Sequence, residues 1–179
     1  IKYFTSKDWV TFSLNLLGDC GEIGKFQYAP LIGPDILSGI LVNTTGRSVF
    51  DFATEYLFTP LGIEVKDKIT FRSEEEQVAF LKAKDINGWV IDSCGINAAG
   101  WGLTLSTRAM AKIGQLYLNQ GRWNKQQIVS KQWVIDSIKK QSYNDELNLA
   151  YGYLWWLHQD GFMAMGDGCL LYTSPSPRD

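Results

Sequence analysis

The chain has 179 residues, three cysteines, one histidine, a formal net charge of -2 and a pI near 5.4. With 45% hydrophobic and 20% charged residues, it has the balance of a globular protein large enough for a sizeable core. This charge excludes the basic surface that nucleic-acid binding needs, His158 alone argues against an imidazole-built metal site, and no apolar run approaches the roughly 18 residues of a membrane span.

Cys20, Cys94 and Cys169 are widely spaced and contain no Cys-x-x-Cys, which argues against a zinc or redox site. A Cys20–Cys94 disulfide is compatible with the sequence but not demanded by it. The chain begins with Ile1 and shows no basic segment followed by an apolar one, so no signal peptide is visible.

In chain order, Thr5 or Ser6 is the expected cap of a short helix carrying Trp9, Val10, Phe12, Ser13 and Leu16, broken by Asp19-Cys20-Gly21. Gly24 to Tyr28 reads as extended, with Phe26 and Tyr28 on one side. Pro30 and Pro34 punctuate the turn into a helix with a stripe of Ile36, Leu37, Ile40 and Leu41, ending near Thr45-Gly46. Ser48 is a good N-cap for the next helix, with Asp51 in its first turn and Val49, Phe52, Ala53 and Tyr56 on one face. Pro60-Leu61-Gly62 ends that helix. Ser73 followed by Glu74, Glu75 and Glu76 reads as a solvated helix start, and Trp89-Val90-Ile91 as a short apolar piece compatible with a strand.

A Gly-Trp-Gly loop (100–102) precedes a polar cap at Ser106 and Thr107 and the most regular helix of the chain. Met110, Ile113, Gly114 and Tyr117 share one of its faces, and Asn119-Gln120-Gly121 stops it. Gly114 on an apolar face predicts a closely packed neighbour. Ser130 is expected to cap a further helix to about Lys140, and Tyr143 to Asn148 to be a polar loop. The run YGYLWWL (151–157) is apolar on both faces of the strand period and predicts one buried interior strand. His158 to Gly161 reads as a hairpin turn and Phe162 to Met165 as the partner strand, leading to Gly166-Asp167-Gly168.

From the residues alone, no catalytic constellation is complete. A Ser/His/Asp triad would have to use His158 from a hairpin turn. Ser137-Ile138-Lys139-Lys140 fits Ser-x-x-Lys literally, but at the C-terminal end of a helix, where no backbone N–H groups point at a reacting carbonyl. Tyr117-Leu118-Asn119 fits Tyr-x-Asn, but Tyr117 lies on a buried helix face.

Four segments nevertheless carry an ordered resemblance: KFQYAPLIGPDILSGIL (25–41), TGRSVFDFATEYLFTPLGI (45–63), GWGLTLSTRAMAKIGQLYLNQGRWNKQQIVSKQWV (100–134) and YGYLWWL with FMAMGDG (151–168). From Phe26 to Gly168 the chain resembles the β-lactamase-related serine hydrolases: class C β-lactamases, D-alanyl-D-alanine carboxypeptidases and related esterases. The Gly-Trp-Gly segment and YGYLWWL are most similar to the esterase and amide-oligomer hydrolase branch. The resemblance implies an α+β fold, helices packed on part of an antiparallel sheet of β-lactamase/transpeptidase type. It implies a serine of Ser-x-x-Lys that forms an acyl-enzyme with an amide or ester. A tyrosine, lowered in pKa by the lysine, relays the proton. Tyr28 matches that tyrosine. No cofactor is implied; the implied partner is a small-molecule amide or ester, and the family is often periplasmic, secreted or membrane-anchored. The residues specify no oligomeric state.

Several departures shape the expectations. Tyr28 is followed by Ala29-Pro30 where the family often has Tyr-x-Asn or Tyr-x-Ser, and Ala109 stands where it usually has an acidic residue. Gly166, Asp167 and Gly168 match the substrate-binding turn on the flanking strand, with Asp167 where the family has a basic residue. Only 27 residues precede Tyr28, too few for the Ser-x-x-Lys, so the gene is expected to continue beyond both ends. Residues 1–168 read as a partial domain. Residues 169–179, CLLYTSPSPRD, resemble a translated sequencing adapter and are not expected to continue the sheet, since Pro175 and Pro177 would break it. That leaves the edge beside Phe162 to Met165 open. The alternative to an enzyme is a non-catalytic relative that binds a peptide or cell-wall ligand.

Overall fold

The computed structural model describes residues 3–4, 6–17, 22, 24–29, 31–166 and 169–173. They fall into two compact units, one of residues 1–22 and 29–106 and the other of residues 23–28 and 107–179. The class is mixed helix and sheet, as the α+β reading expects.

The first unit starts with α1 (Trp9–Leu16). Its cap is Asp8, not Thr5 or Ser6: the Asp8 carboxylate accepts from Thr11 N at 2.8 Å, while the Ser6 hydroxyl donates to Asp8 O. Asp19-Cys20-Gly21 lies outside the described residues. Helix α2 (Ile32–Thr45) ends on Gly46 at φ 66. It begins earlier than the prolines suggested, and Pro34 sits inside its first turn, where a missing N–H costs nothing. Its buried face is also not the expected stripe. Pro34, Asp35, Ser38 and Gly39 are buried, whereas Leu37 and Ile40 are more than half exposed. The cause is Gly39, where a side chain would fall 2.7 Å from Val10 Cγ1. Only a glycine lets α1 seat Val10 there.

Ser48 caps α3 (Val49–Ala53), accepting from Asp51 N at 3.0 Å. The helix then widens into a π-helical stretch, Thr54–Phe58, before α4 (Thr59–Leu61). This insertion precedes Pro60, which has no N–H to continue an α-helical ladder. It shifts the register, so Tyr56 is exposed while Phe58 and Leu61 are buried.

Strands β1 (Asp67–Ile69), β2 (Gly88–Val90) and β3 (Leu103–Thr104) form a small sheet, with β1 and β2 parallel and β2 and β3 antiparallel. Between them runs α5 (Glu74–Lys82), capped by Ser73 with three glutamates in its first turn. The Gly-Trp-Gly loop packs on β2: Gly102 has φ +78, its carbonyl accepts from Val90 N, and a Cβ there would lie 2.7 Å from that of Val90. Tyr3, Trp9, Val90 and Ala98 form a buried cluster, with Phe12, Phe71, Phe80 and Trp101 packed against it. Asp35 sits within this unit, 1% exposed. Its carboxylate accepts from the Tyr3 hydroxyl, from Ala99 N at 2.9 Å and from Gly100 N at 3.4 Å.

The second unit holds α6 (Thr107–Leu118), which buries Gly114 and Leu116 and turns Tyr117 onto Trp155 and Phe162. After Gln120 and Gly121, both at positive φ, come the hairpin β4 (Arg122–Trp123) and β5 (Gln126–Gln127) and then α7 (Lys131–Ser137). Ser130 caps α7, but the helix stops at Ser137, short of Lys140. The rest is a five-stranded antiparallel meander: β6 (Ser142–Asn144), β7 (Leu149–Tyr151), β8 (Trp156–His158), β9 (Gly161–Gly166) and β10 (Cys169–Thr173). Helix α6 packs on β10.

Three expectations change here. The polar loop 143–148 is largely a β6–β7 hairpin, whose Asn and Glu content hid an edge strand; Tyr143 bonds Asn148 and Leu147 N bonds Asn144 Oδ1. YGYLWWL is not one strand but two with a turn between them. Gly152 lies so close to the Ser137 carbonyl that no side chain fits, and Leu154 takes φ 64. The chain reverses there, leaving Tyr153 and Leu154 exposed and Trp155 and Trp156 buried. Finally, Cys169 to Thr173 pairs with β9, so β9 has neighbours on both sides. Leu170, Leu171 and Tyr172 have strand composition, and the breaking prolines come only afterwards.

Four stability experiments follow from these contacts. Gly121→Ala places a methyl inside the van der Waals contact of Val129 O at φ +80 and should cost about 2 kcal/mol or more in urea unfolding. Gly33→Ala, on the exposed first turn of α2 with nothing within 4 Å, should leave stability unchanged or raise it by up to about 1 kcal/mol. Asp35→Ala removes the acceptor of the buried Tyr3 hydroxyl and of the Ala99 and Gly100 N–H groups and should cost about 3 kcal/mol. Burial and the Asp35 charge push the Tyr3 pKa well above the ordinary tyrosine value. Its stabilising share is therefore complete below about pH 10 and lost as pH rises through the raised value. The midpoint should fall in alkali, and fall less steeply in Tyr3→Phe.

Candidate functional site

Tyr28 belongs to the second unit, on an irregular segment preceding α2. Phe26 and Tyr28 point the same way, as their extended spacing requires: both rings meet Tyr151, at 5.4 and 5.8 Å between centroids. Tyr28 also stands edge-on to Trp156 at 4.9 Å. Tyr151 and Trp156 are cross-strand partners at the end of β7 and the start of β8, with rings 4.7 Å apart. The turn forced at Gly152 is what brings them opposite each other.

The result is a four-ring platform carrying Tyr28 on its outer side. Trp156 is buried, while Tyr28 is 37% exposed. No hydrogen bond among the described residues uses the Tyr28 hydroxyl, so it is open to an incoming group. Burial, and secondarily the charge Tyr28 would carry, push the Tyr151 phenol up to about 12. Tyr151 is thus held neutral, a packing partner rather than a proton carrier.

Of the expected substrate-binding turn, Gly166 is the exposed last residue of β9, opposite Cys169 of β10. Asp167 and Gly168 lie outside the described residues. Gly166 is three residues along β9 from Met163, the partner of Trp156. That is about 10 Å along the strand, and no hydrogen bond or ring contact among the described residues joins Gly166 to Tyr28.

The discounted matches stay discounted. Ser137 is 1% exposed at the end of α7 and donates to Val134 O at 3.0 Å, so it offers no nucleophile at a helix N-terminus. His158 faces Asp160 at 3.4 Å in the exposed β8–β9 turn. Tyr117 is packed between Trp155 and Phe162. Among the described residues, no group of three His, Cys, Asp or Glu is placed to hold a metal, and no helix is long and apolar enough to cross a membrane. Reading the sequence missed the platform under Tyr28. Its signal was Gly152 inside YGYLWWL, which splits the run and lets Tyr151 face Trp156.

No family model and no curated protein matches the chain. Solved structures do. One is a Bacillus anthracis protein provisionally named a 6-aminohexanoate-dimer hydrolase, 24% identical over 88% of this chain and 37% of its own, with a TM-score of 0.65. Another is the octameric penicillin-binding protein homologue from Pyrococcus abyssi, 16% identical over 90% of this chain and 44% of its own, with a TM-score of 0.50. The chain spans less than half the length of either. Both have the β-lactamase/transpeptidase-like fold, and the chain has part of that same fold.

Proposed function

We propose that the whole protein is a serine hydrolase that cleaves a small amide or ester by acyl transfer, with Tyr28 in its proton relay. The observation that carries this is the exposed Tyr28 hydroxyl, without a hydrogen-bond partner among the described residues, on an aromatic platform just before α2, within a β-lactamase/transpeptidase-like fold. In this reading a serine of Ser-x-x-Lys attacks the carbonyl. Its hydroxyl proton passes to Tyr28 and on to the leaving nitrogen or oxygen, and water then releases the acyl group. The serine and lysine belong to sequence outside this chain, because its literal Ser-x-x-Lys starts at the buried Ser137. Gly166, Asp167 and Gly168 form the proposed substrate-binding turn. An acidic Asp167 there disfavours a substrate carboxylate and so argues against penicillin-like substrates.

A second reading is a relative that binds a peptide or cell-wall ligand without turning it over. Ala29-Pro30 favours it, since no polar side chain follows Tyr28 to hold a leaving group or lysine.

The test begins with the source DNA read outward from both ends of this gene. Under the enzyme reading, a Ser-x-x-Lys lies upstream, and a fluorophosphonate probe labels the complete protein. Tyr28→Phe then slows labelling by about 10²- to 10⁴-fold with the fold intact by circular dichroism. The 179-residue chain alone stays unlabelled by that probe or by a fluorescent penicillin. A complete protein without an upstream serine and lysine at that spacing, or one that resists the probe, sinks the enzyme reading in favour of the binding one.

A further inference from the structure

Helix α2 (IGPDILSGILVNTT) carries one charged residue in 14, Asp35, and that one is buried. Its buried side is Pro34, Asp35, Ser38 and Gly39. Its open side is no more polar. Gly33, Leu37, Ile40 and Thr44 follow one another at i, i+4, i+7, i+11 and are all exposed, Leu37 and Ile40 at 53% and 52%. The one hydroxyl on that line, Thr44 Oγ1, is turned back on the helix and donates to Ile40 O at 2.8 Å. Ile36, Leu41 and Val42 flank the line and are only partly covered. Helix α1, which packs on α2, has no charged residue either and leaves Leu14 and Leu16 about half exposed.

Helix α5 of the same unit shows the contrast: Glu74, Glu75, Glu76 and Lys82 stand among its nine residues, as a solvated helix requires. A helix apolar on both sides belongs inside a larger core or a membrane. At 14 residues α2 is too short to cross a bilayer, and without a Lys or Arg it lacks the basic face of a helix that lies on a lipid surface. That leaves protein as the cover. More than half of the length of either structural neighbour has no counterpart in this chain. Of the two ends of the chain, the N-terminal one lies in the unit that holds α2 and the C-terminal one in the other. The Tyr3 hydroxyl is fastened to Asp35 in the first turn of α2, so any chain preceding Ile1 enters within about 7 Å of the Tyr3 backbone.

We propose that the outer face of α2, centred on Leu37 and Ile40, is an internal interface of the complete protein, covered by the stretch of the same polypeptide that precedes Ile1. The covering element presents an apolar face of its own, because α2 offers it no charge to pair with. This assignment does not depend on the role of Tyr28 or on a catalytic serine upstream.

The test compares the 179-residue chain with the protein extended upstream as its source gene encodes it. In Leu37→Cys, a maleimide should label position 37 of the 179-residue chain readily and that of the extended protein at least about tenfold more slowly. Peptide mass mapping reads that position alone, so the other cysteines do not interfere. Leu37→Lys/Ile40→Lys should leave the urea midpoint of the 179-residue chain within about 0.2 M and lower that of the extended protein by about 1 M or more. The labelling comparison stands even if the double variant of the extended protein does not fold. The proposal is overturned by equal labelling rates in the two proteins, by lysines that the extended protein tolerates as well as the short chain does, by protection that appears only as protein concentration is raised and so belongs to a second copy, or by a source gene whose reading frame starts at Ile1.

Discussion

Asp35 sits in the first turn of α2 with its carboxylate almost wholly out of water. Three donors meet it there. The Tyr3 hydroxyl comes from the N-terminal segment, and Ala99 N and Gly100 N come from the loop that leads into Gly-Trp-Gly. Trp101 extends the chain by donating from Nε1 to the Tyr3 oxygen at 3.0 Å. One side chain thus ties three sequence-distant stretches of the first unit to one point. It also fixes which face of α2 is inside. A helix with Asp35 buried must bury Ser38 and Gly39 beside it, and that turns Leu37 and Ile40 outward.

The second unit is organised by a different constraint, the close approach of the Ser137 carbonyl to Gly152. The backbone has to reverse at that point, so an apolar run becomes a hairpin. Its two ends then set Tyr151 edge-on to Trp156, and the pair supports Tyr28. Trp155 turns to the other side and meets Tyr117 and Phe162. Aromatic pairs of this kind contribute about 0.5–1.5 kcal/mol beyond their buried area, and they do so at fixed angles.

The sequence by itself determined the helices, most of their caps and the fold type. Ser48, Ser73 and Ser130 each accept from a backbone N–H three residues on, a local bond that needs no tertiary partner. The ordered segments from Phe26 to Gly168 carried the α+β, β-lactamase-like reading, because spacing between such segments survives when individual residues change. The same resemblance singled out Tyr28, whose role is the proposal made above. What the tertiary structure decided was anything set by contact between distant residues. The buried face of α2 depends on Val10 meeting Gly39. The split of YGYLWWL depends on Ser137, and the pairing of Cys169 to Thr173 depends on β9. Hydrophobic periodicity records that a face is apolar; it does not record which neighbour arrives to cover it.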